Sequence, residues 1–237
     1  ILQAVGRAIR KSDPPKTGTI LLPIVIDEDE NPELALENSR FSYIWDVLDA
    51  LKDHDGILAG ELDSLRRDYG ATGKYSGKLP SKIFINIPQT VSNSFLNLVK
   101  TKLLFETTTS WEENFGAWLD WKKEHPDESM PSRLTHNGLN IGSWADTIRG
   151  AARPGYKGVG IVTDEQRKKL NDAGFIWEPL EDTWNKYYEA LLDWKKEHPD
   201  EYVAGKITHN GLNIGVWANG MRLVARPGYK GPLLKIT

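Results

Sequence analysis

The sequence predicts a mainly α fold, tandem small three-helix modules behind a helical connector, and three observations predict it. Residues 111–158 and 184–231 align without a gap at an offset of 73, with 30 of 48 positions identical, and repetition on that scale marks a duplicated structural unit. Apolar residues recur at helical rather than alternating spacing over most of the chain. Proline and glycine fall where that spacing stops, at Pro126, Gly150 and Gly174, as helix ends require.

Four segments follow in order. Residues 1–26 contain a strand-like apolar stretch at 18–26, interrupted by Pro23. Residues 27–109 read as a mostly helical connector. An acidic loop at 27–32 opens it. Phe41, Ile44, Trp45, Val47, Leu48 and Leu51 then lie on one face of a helix. After Asp55-Gly56 a second helix over 57–69 pairs with it. Residues 70–79, rich in Gly, Ser and Lys, read as a flexible linker. Residues 82–87 alternate as a short strand does, and 91–105 return to helix.

The repeats occupy 110–179 and 183–237. In the first, Ser110 with Glu113 spells a capping box. Phe115, Trp118 and Leu119 follow at helical spacing until Pro126. A second helix starts near Asn140, carries Ile141, Trp144 and Ile148, and stops at Gly150. A third begins at Thr163 with Gln166, another capping box, buries Leu170 and closes at Gly174. The second copy reaches Thr237 without a counterpart of residues 163–177, so its third helix is missing. Trp111, Trp144, Trp177, Trp184 and Trp217 are expected in the core. Of Trp118 and Trp121, one is expected to be partly exposed, because copy two keeps only Trp194 and places Leu191 opposite Trp118.

Composition removes several function classes. The apolar content is 39% with a net charge of −3, which suits a globular chain, and no apolar run is long enough to span a membrane; a cytoplasmic location is expected. There is no cysteine, which excludes disulfides and thiolate metal sites. The histidines recur in pairs, His125 with His136 and His198 with His209, without a carboxylate cluster, so no metal site is expected. The abrupt start at Ile1-Leu2-Gln3 suggests an excised fragment. Charge is uneven along the chain. Residues 1–26 hold four basic against one acidic side chain, and 184–237 eight against five. Residues 27–110 hold nine against fourteen, and 111–183 nine against thirteen. Any nucleic-acid contact must therefore be local, with copy two the better binder.

Ile141-Gly142-Ser143-Trp144, Gly174-Phe175-Ile176-Trp177 and Ile214-Gly215-Val216-Trp217 resemble the signature of the helicase-associated domain family, over roughly half the chain. The pattern departs at His125-Pro126 and His198-Pro199, where a Gly often follows the His. Gln3-Ala-Val-Gly6-Arg7-Ala-Ile-Arg10 resembles the last motif of superfamily 2 helicases. That resemblance makes residues 1–26 the C-terminal remnant of the second RecA-like lobe, a short β remnant ahead of the helices. It implies that Gln3 orients the site while Arg7 and Arg10 reach the γ-phosphate, neutralising charge during phosphoryl transfer. ATP and Mg would belong to the intact parent. No phosphate-binding Gly-x-x-x-x-Gly-Lys-Ser/Thr occurs, so this chain carries no cofactor and should not hydrolyse ATP alone. Its partners would be DNA or RNA and the upstream helicase core.

The candidate nucleic-acid contacts are Arg149, Arg153, Tyr156 and Lys157, with their copies Arg222, Arg226, Tyr229 and Lys230. In the turn Arg-Pro-Gly-Tyr-Lys-Gly, arginine and lysine would meet phosphates and tyrosine would stack on a base. The same residues could instead make a solvated interhelical turn under which tyrosine packs. Arg149 and Arg222 could bind phosphate or complement a helix C-terminus. Thr135-His136-Asn137-Gly138 and its copy at 208–211 are base readers or simply tight turns. The functional alternative is a protein-interaction module that docks on the motor or another partner.

Overall fold

The computed structural model describes residues 19–23, 36, 39–86, 93–156, 158 and 160–229. Among them are eight helices and no strand: α1 Ser39–His54, α2 Gly56–Thr72, α3 Asn93–Thr107, α4 Ser110–Glu124, α5 Ile141–Ala151, α6 Asp164–Asp172, α7 Pro179–Glu197 and α8 Ile214–Val224. The protein is mainly helical, as its periodicity predicts. Of the expected strand at 18–26 only 19–23 are described, without regular structure. Residues 82–86 are likewise not a strand. Among the described residues they have no strand to pair with, and Ile83 and Ile85 pack as irregular chain on the helical core.

The chain divides into two compact units, Ile1–Ala145 and Asp146–Thr237, and the division falls inside α5. In the first unit, α1, α2 and α3 enclose a core that includes Phe41, Ile44, Leu48, Leu58, Leu62 and Phe95. The turn between α1 and α2 is one residue long. Asp55 fills it, and its Oδ1 accepts from the Ile57 and Leu58 amides at 3.1 and 3.2 Å, satisfying two orphan donors of α2. An ion pair to Lys82, then those amides, hold the Asp55 carboxyl below its ordinary range. The helix runs further than the linker reading allows. Gly70, Ala71 and Thr72 are helical, and the chain turns only at Gly73, at φ +66°, whose N–H donates to the Tyr69 carbonyl at 2.8 Å.

Gly70 is helical because it is a packing position. A β-carbon there would lie 1.9 Å from the Glu113 carbonyl oxygen of α4, and one on Gly116 would lie 2.1 Å from the Arg67 carbonyl of α2. Two glycines, one on each helix, therefore let α2 and α4 touch backbone to backbone. Flanking them, Arg66 pairs with Glu113 and Arg67 with Glu112, the latter at 2.6 Å. The Arg66 guanidinium also lies 3.6 Å over the Phe105 ring of α3. Glu113 is thereby drawn to Arg66 rather than closing a capping box. Ser110 is the first helical residue, and the N-cap is Thr109, with no side-chain cap bond.

The turn after α4 makes a one-bridge hairpin. His136 and Leu139 exchange two backbone hydrogen bonds of 2.9 Å around Asn137 and Gly138, at φ +49° and +79°, the backbone that Asn-Gly accommodates best. Asn140 then caps α5, its Oδ1 accepting from the Ser143 amide at 3.0 Å. The glycine of Ile-Gly-x-Trp has a steric reason: a β-carbon on Gly142 would sit 2.2 Å from the Pro131 carbonyl. Trp118 and Trp121 are both buried, so neither is the partly exposed member of that pair.

In the second unit, α6 carries the predicted capping box between Thr163 and Gln166. Leu170 is fully buried, and the helix closes with Gly174 at φ +72°. Helices α7 and α8 enclose Ala190, Trp194, Val203, Ile214, Trp217 and Ala218. The copy-two hairpin repeats the first, with His209 and Leu212 exchanging bonds of 2.9 Å and Asn210 at φ +49°. Gly215 again leaves no room, 2.0 Å from the Ala204 carbonyl. Trp184 departs from the expected core placement. It is 38% exposed, stacked on the exposed Tyr188 at 4.8 Å. Trp144 and Trp177 are half-buried.

Candidate nucleic-acid interface

The turn that follows α5 and α8 is built identically. The Ala152 and Ala225 amides each donate at 3.0 Å to the carbonyl four residues back. The Arg153 and Arg226 carbonyls then accept from the Tyr156 and Tyr229 amides at 3.2 Å. Gly155 and Gly228, at φ +78° and +82°, take the left-handed backbone that reverses the chain. Arg153 and Arg226 point into solvent. Tyr156 is 41% exposed, and its ring lies over Gly158, where a β-carbon would come within 2.2 Å of the hydroxyl. The second glycine of the turn thus makes room for the tyrosine, and Tyr229 is half-buried. Lys157 and Lys230, together with Gln3, Arg7 and Arg10, lie outside the described residues.

Arg149 and Arg222 occupy equivalent positions but different surroundings. Arg149 is 9% exposed. Its Nε donates to the Ile176 carbonyl at 3.0 Å, its Nη1 to Asp146 at 3.0 Å, and its guanidinium lies 5.1 Å from the Phe175 ring centroid. Burial lowers its pKa, opposed by Asp146 and Glu178, and an arginine remains charged under such a shift. This side chain ties the Gly-Phe-x-Trp segment to the end of α5. Arg222 is exposed; its Nη1 donates to the Val203 carbonyl at 3.1 Å and to Asn219 Oδ1 at 2.7 Å, beneath the Tyr202 ring.

The histidines of both copies are held by carboxylates and rings. His136 and His209 bond Asp120 and Asp193 at 3.0 Å, while His125 and His198 stack on Trp121 and Trp194 at 4.6 Å. The histidine bond, first among the causes, holds the Asp120 and Asp193 carboxyls below the ordinary carboxylate range. Asn137 turns away from any base-reading pose: its amide donates to the Gly70 and Ala71 carbonyls at 3.2 and 2.6 Å, sealing the end of α2. Asn210 donates to Asp193 at 3.3 Å instead.

Sequence reasoning missed Arg167 and Trp177 as neighbours of the turn. The Arg167 guanidinium lies 4.6 Å over the Trp177 ring and reaches the Ala152 carbonyl at 3.4 Å. With Arg149, Arg153 and Glu178 these residues line one cleft. The available signal was Arg167 on α6 and the terminal Trp of Gly-Phe-x-Trp, read only as core. No described helix is long and apolar enough to cross a membrane. No match to the chain was found among curated proteins or among solved structures. The family model described as Helicase associated domain matches residues 108–178, the stretch from the end of α3 through α4, α5 and α6. Residues 108–178 are thus similar to helicase-associated domains.

Proposed function

We propose that the chain is the nucleic-acid-binding accessory region of an ATP-dependent superfamily 2 helicase or translocase. The observation that carries this reading is the helicase-associated match over 108–178, on which the solvent-facing Arg153 stands at a rigid, Gly-turned helix end. Arg226 repeats that presentation on α8. Arginine at such a turn suits phosphate contact, which supplies affinity without sequence preference. Gln3, Arg7 and Arg10, to which the resemblance gives the ATP-side roles, fall outside the described residues, and no step of ATP chemistry follows from the rest. Fluorescence anisotropy with single- and double-stranded DNA and RNA tests the reading. Weak binding that falls steeply with salt is expected, and Arg226→Ala with Lys230→Ala should flatten the duplex salt slope by about 2. Absence of binding at low salt removes the reading.

A protein-docking role is favoured by one observation. Trp184, Tyr188 and Leu192 form an exposed apolar stripe along α7. Retention of the intact helicase core by the chain, lost on Trp184→Ala with Leu192→Ala, would support it.

A further inference from the structure

Resting on the nucleic-acid reading, we infer that copy one holds a preformed phosphodiester site in the cleft between the end of α5 and the Gly-Phe-x-Trp segment. Arg153 and Arg167 are its ligand-binding residues, and Trp177 and Arg149 position them. The cleft is open to solvent on one side and offers about 120 Å³, room for a phosphate group.

Charge in the cleft is distributed so that two guanidinium groups remain for a ligand. Arg149 answers the carboxylate of Asp146 directly and feels that of Glu178. Arg153 forms no side-chain hydrogen bond or ion pair among the described residues, and it lines the solvent-facing rim of the cleft. Arg167 pairs with no carboxylate either. Its immediate neighbours on α6 do, Lys168 with Asp172 at 2.5 Å and Lys169 with Glu165 at 3.0 Å. The lysines of α6 are therefore neutralised locally, whereas the arginine is kept apart from them.

Arg167 is also held in a binding posture. Stacked 4.6 Å over the indole, with one nitrogen on the Ala152 carbonyl, its guanidinium keeps its other donors in plane for two oxygens of a phosphate. Preorganised forks of this kind lose little freedom on binding. Trp177 is fixed in turn by its Nε1, which donates to Asn171 Oδ1 at 2.7 Å. Copy one is the more acidic by composition, yet local geometry in it sets two guanidinium groups apart from the carboxylates.

The test is anisotropy of a labelled oligothymidylate with the full chain across a salt series. Arg153→Gln with Arg167→Gln should weaken binding at least about tenfold and lower the single-strand salt slope by about 1.4, two contacts at 0.7 each. Lys168→Gln, on the same helix as Arg167 but paired with Asp172, should change affinity less than about threefold, and Arg167→Lys should recover part of the loss. If Arg167→Gln unfolds the protein by circular dichroism, Arg153→Gln alone serves, with a slope change of about 0.7. A double variant that binds as tightly as the parent while Arg226→Gln loses binding overturns this site but leaves the nucleic-acid reading intact. A parent that binds no oligonucleotide at low salt overturns both. Inorganic phosphate and sulfate should compete equally and weakly. Displacement of the oligonucleotide by phosphate alone, at micromolar concentration, would make this a free-anion site and overturn the inference.

Discussion

The first helices of the two repeats share their C-terminal halves and differ in their N-terminal halves. In α4, whose N-terminal half reads Glu112-Glu113-Asn114-Phe115-Gly116, the two glutamates and the glycine are buried against α2, with Trp111 only 9% exposed. In α7 the same positions read Asn185-Lys186-Tyr187-Tyr188-Glu189, and Trp184, Tyr188 and Glu189 face solvent. The identical residues, from Asp120 and Asp193 onward, build the module's interior: the His–Asp bond, the Trp–His stack, the Asn-Gly hairpin and the close-packed glycine. The residues that changed set what the outside of the module meets. Glycine with two glutamates a turn before it lets a helix approach and pair with two arginines, whereas in those places Glu189 is exposed and Lys186 pairs with Asp182 on its own helix.

Breaking the ion pair should give the largest effect. Glu113→Ala strands the buried Arg66 guanidinium and should cost about 3–5 kcal/mol, seen as a large fall in the denaturation midpoint. Lys186→Ala at the equivalent place should stay within about 0.5 kcal/mol. Next comes the close approach itself. Gly116→Ala puts a methyl group 2.1 Å from a backbone oxygen that cannot rotate away, and about 2–3 kcal/mol should be lost. Glu189→Ala should be neutral or slightly stabilising, since alanine is the better helix former. Asn137→Ala removes both the left-handed preference and the seal on α2, costing about 1–2 kcal/mol, while Asn210→Ala loses the same preference but only the bond to Asp193 and should cost less.

The smallest expected difference is in pH dependence. The folded Asp120 carboxyl titrates below its ordinary value. Its stabilisation is present above the unfolded carboxylate range and disappears as pH falls through the depressed folded value. Asp120→Asn should therefore lower the unfolding midpoint at neutral pH by an amount worth about 0.5 kcal/mol. The variant and the parent should converge once the pH has fallen through that depressed value. Equal differences at every pH would show that the His136 bond is not the source.

Helices in this chain were legible wherever local chemistry decides them. The Thr163–Gln166 capping box, the Asn-Gly hairpins, Leu170 in the core and the ends at Pro126 and Gly174 all depend on residues a few positions apart. Features decided by distant partners were not. Gly70 reads as a linker residue until α4 is known to lie against it. Glu113 spells a capping box until Arg66, 47 positions away, takes the carboxylate. Lys82 to Ile87 alternates like a strand, but the alternation only places Ile83 and Ile85 against helices. At the candidate interface, the turn and its exposed Arg153 and Arg226 follow from Arg-Pro-Gly-Tyr. The partnership of Arg167 with Trp177 does not, because nothing in the sequence says that a tryptophan at the end of one segment lies under an arginine of the helix before it.

The crossing of α2 and α4 has a consequence for how the polypeptide folds. Its ion pairs span 45 and 47 residues, so closing them costs the entropy of a longer loop. The ties within copy two, such as His209 to Asp193 and Arg222 to Val203, span 16 and 19. Low contact order favours fast, self-sufficient folding. Copy one shares the 16-residue tie, His136 to Asp120, so both hairpins close over short loops, and only the first helix of copy one adds a distant partner that makes its packing depend on α2 as well as on its own repeat.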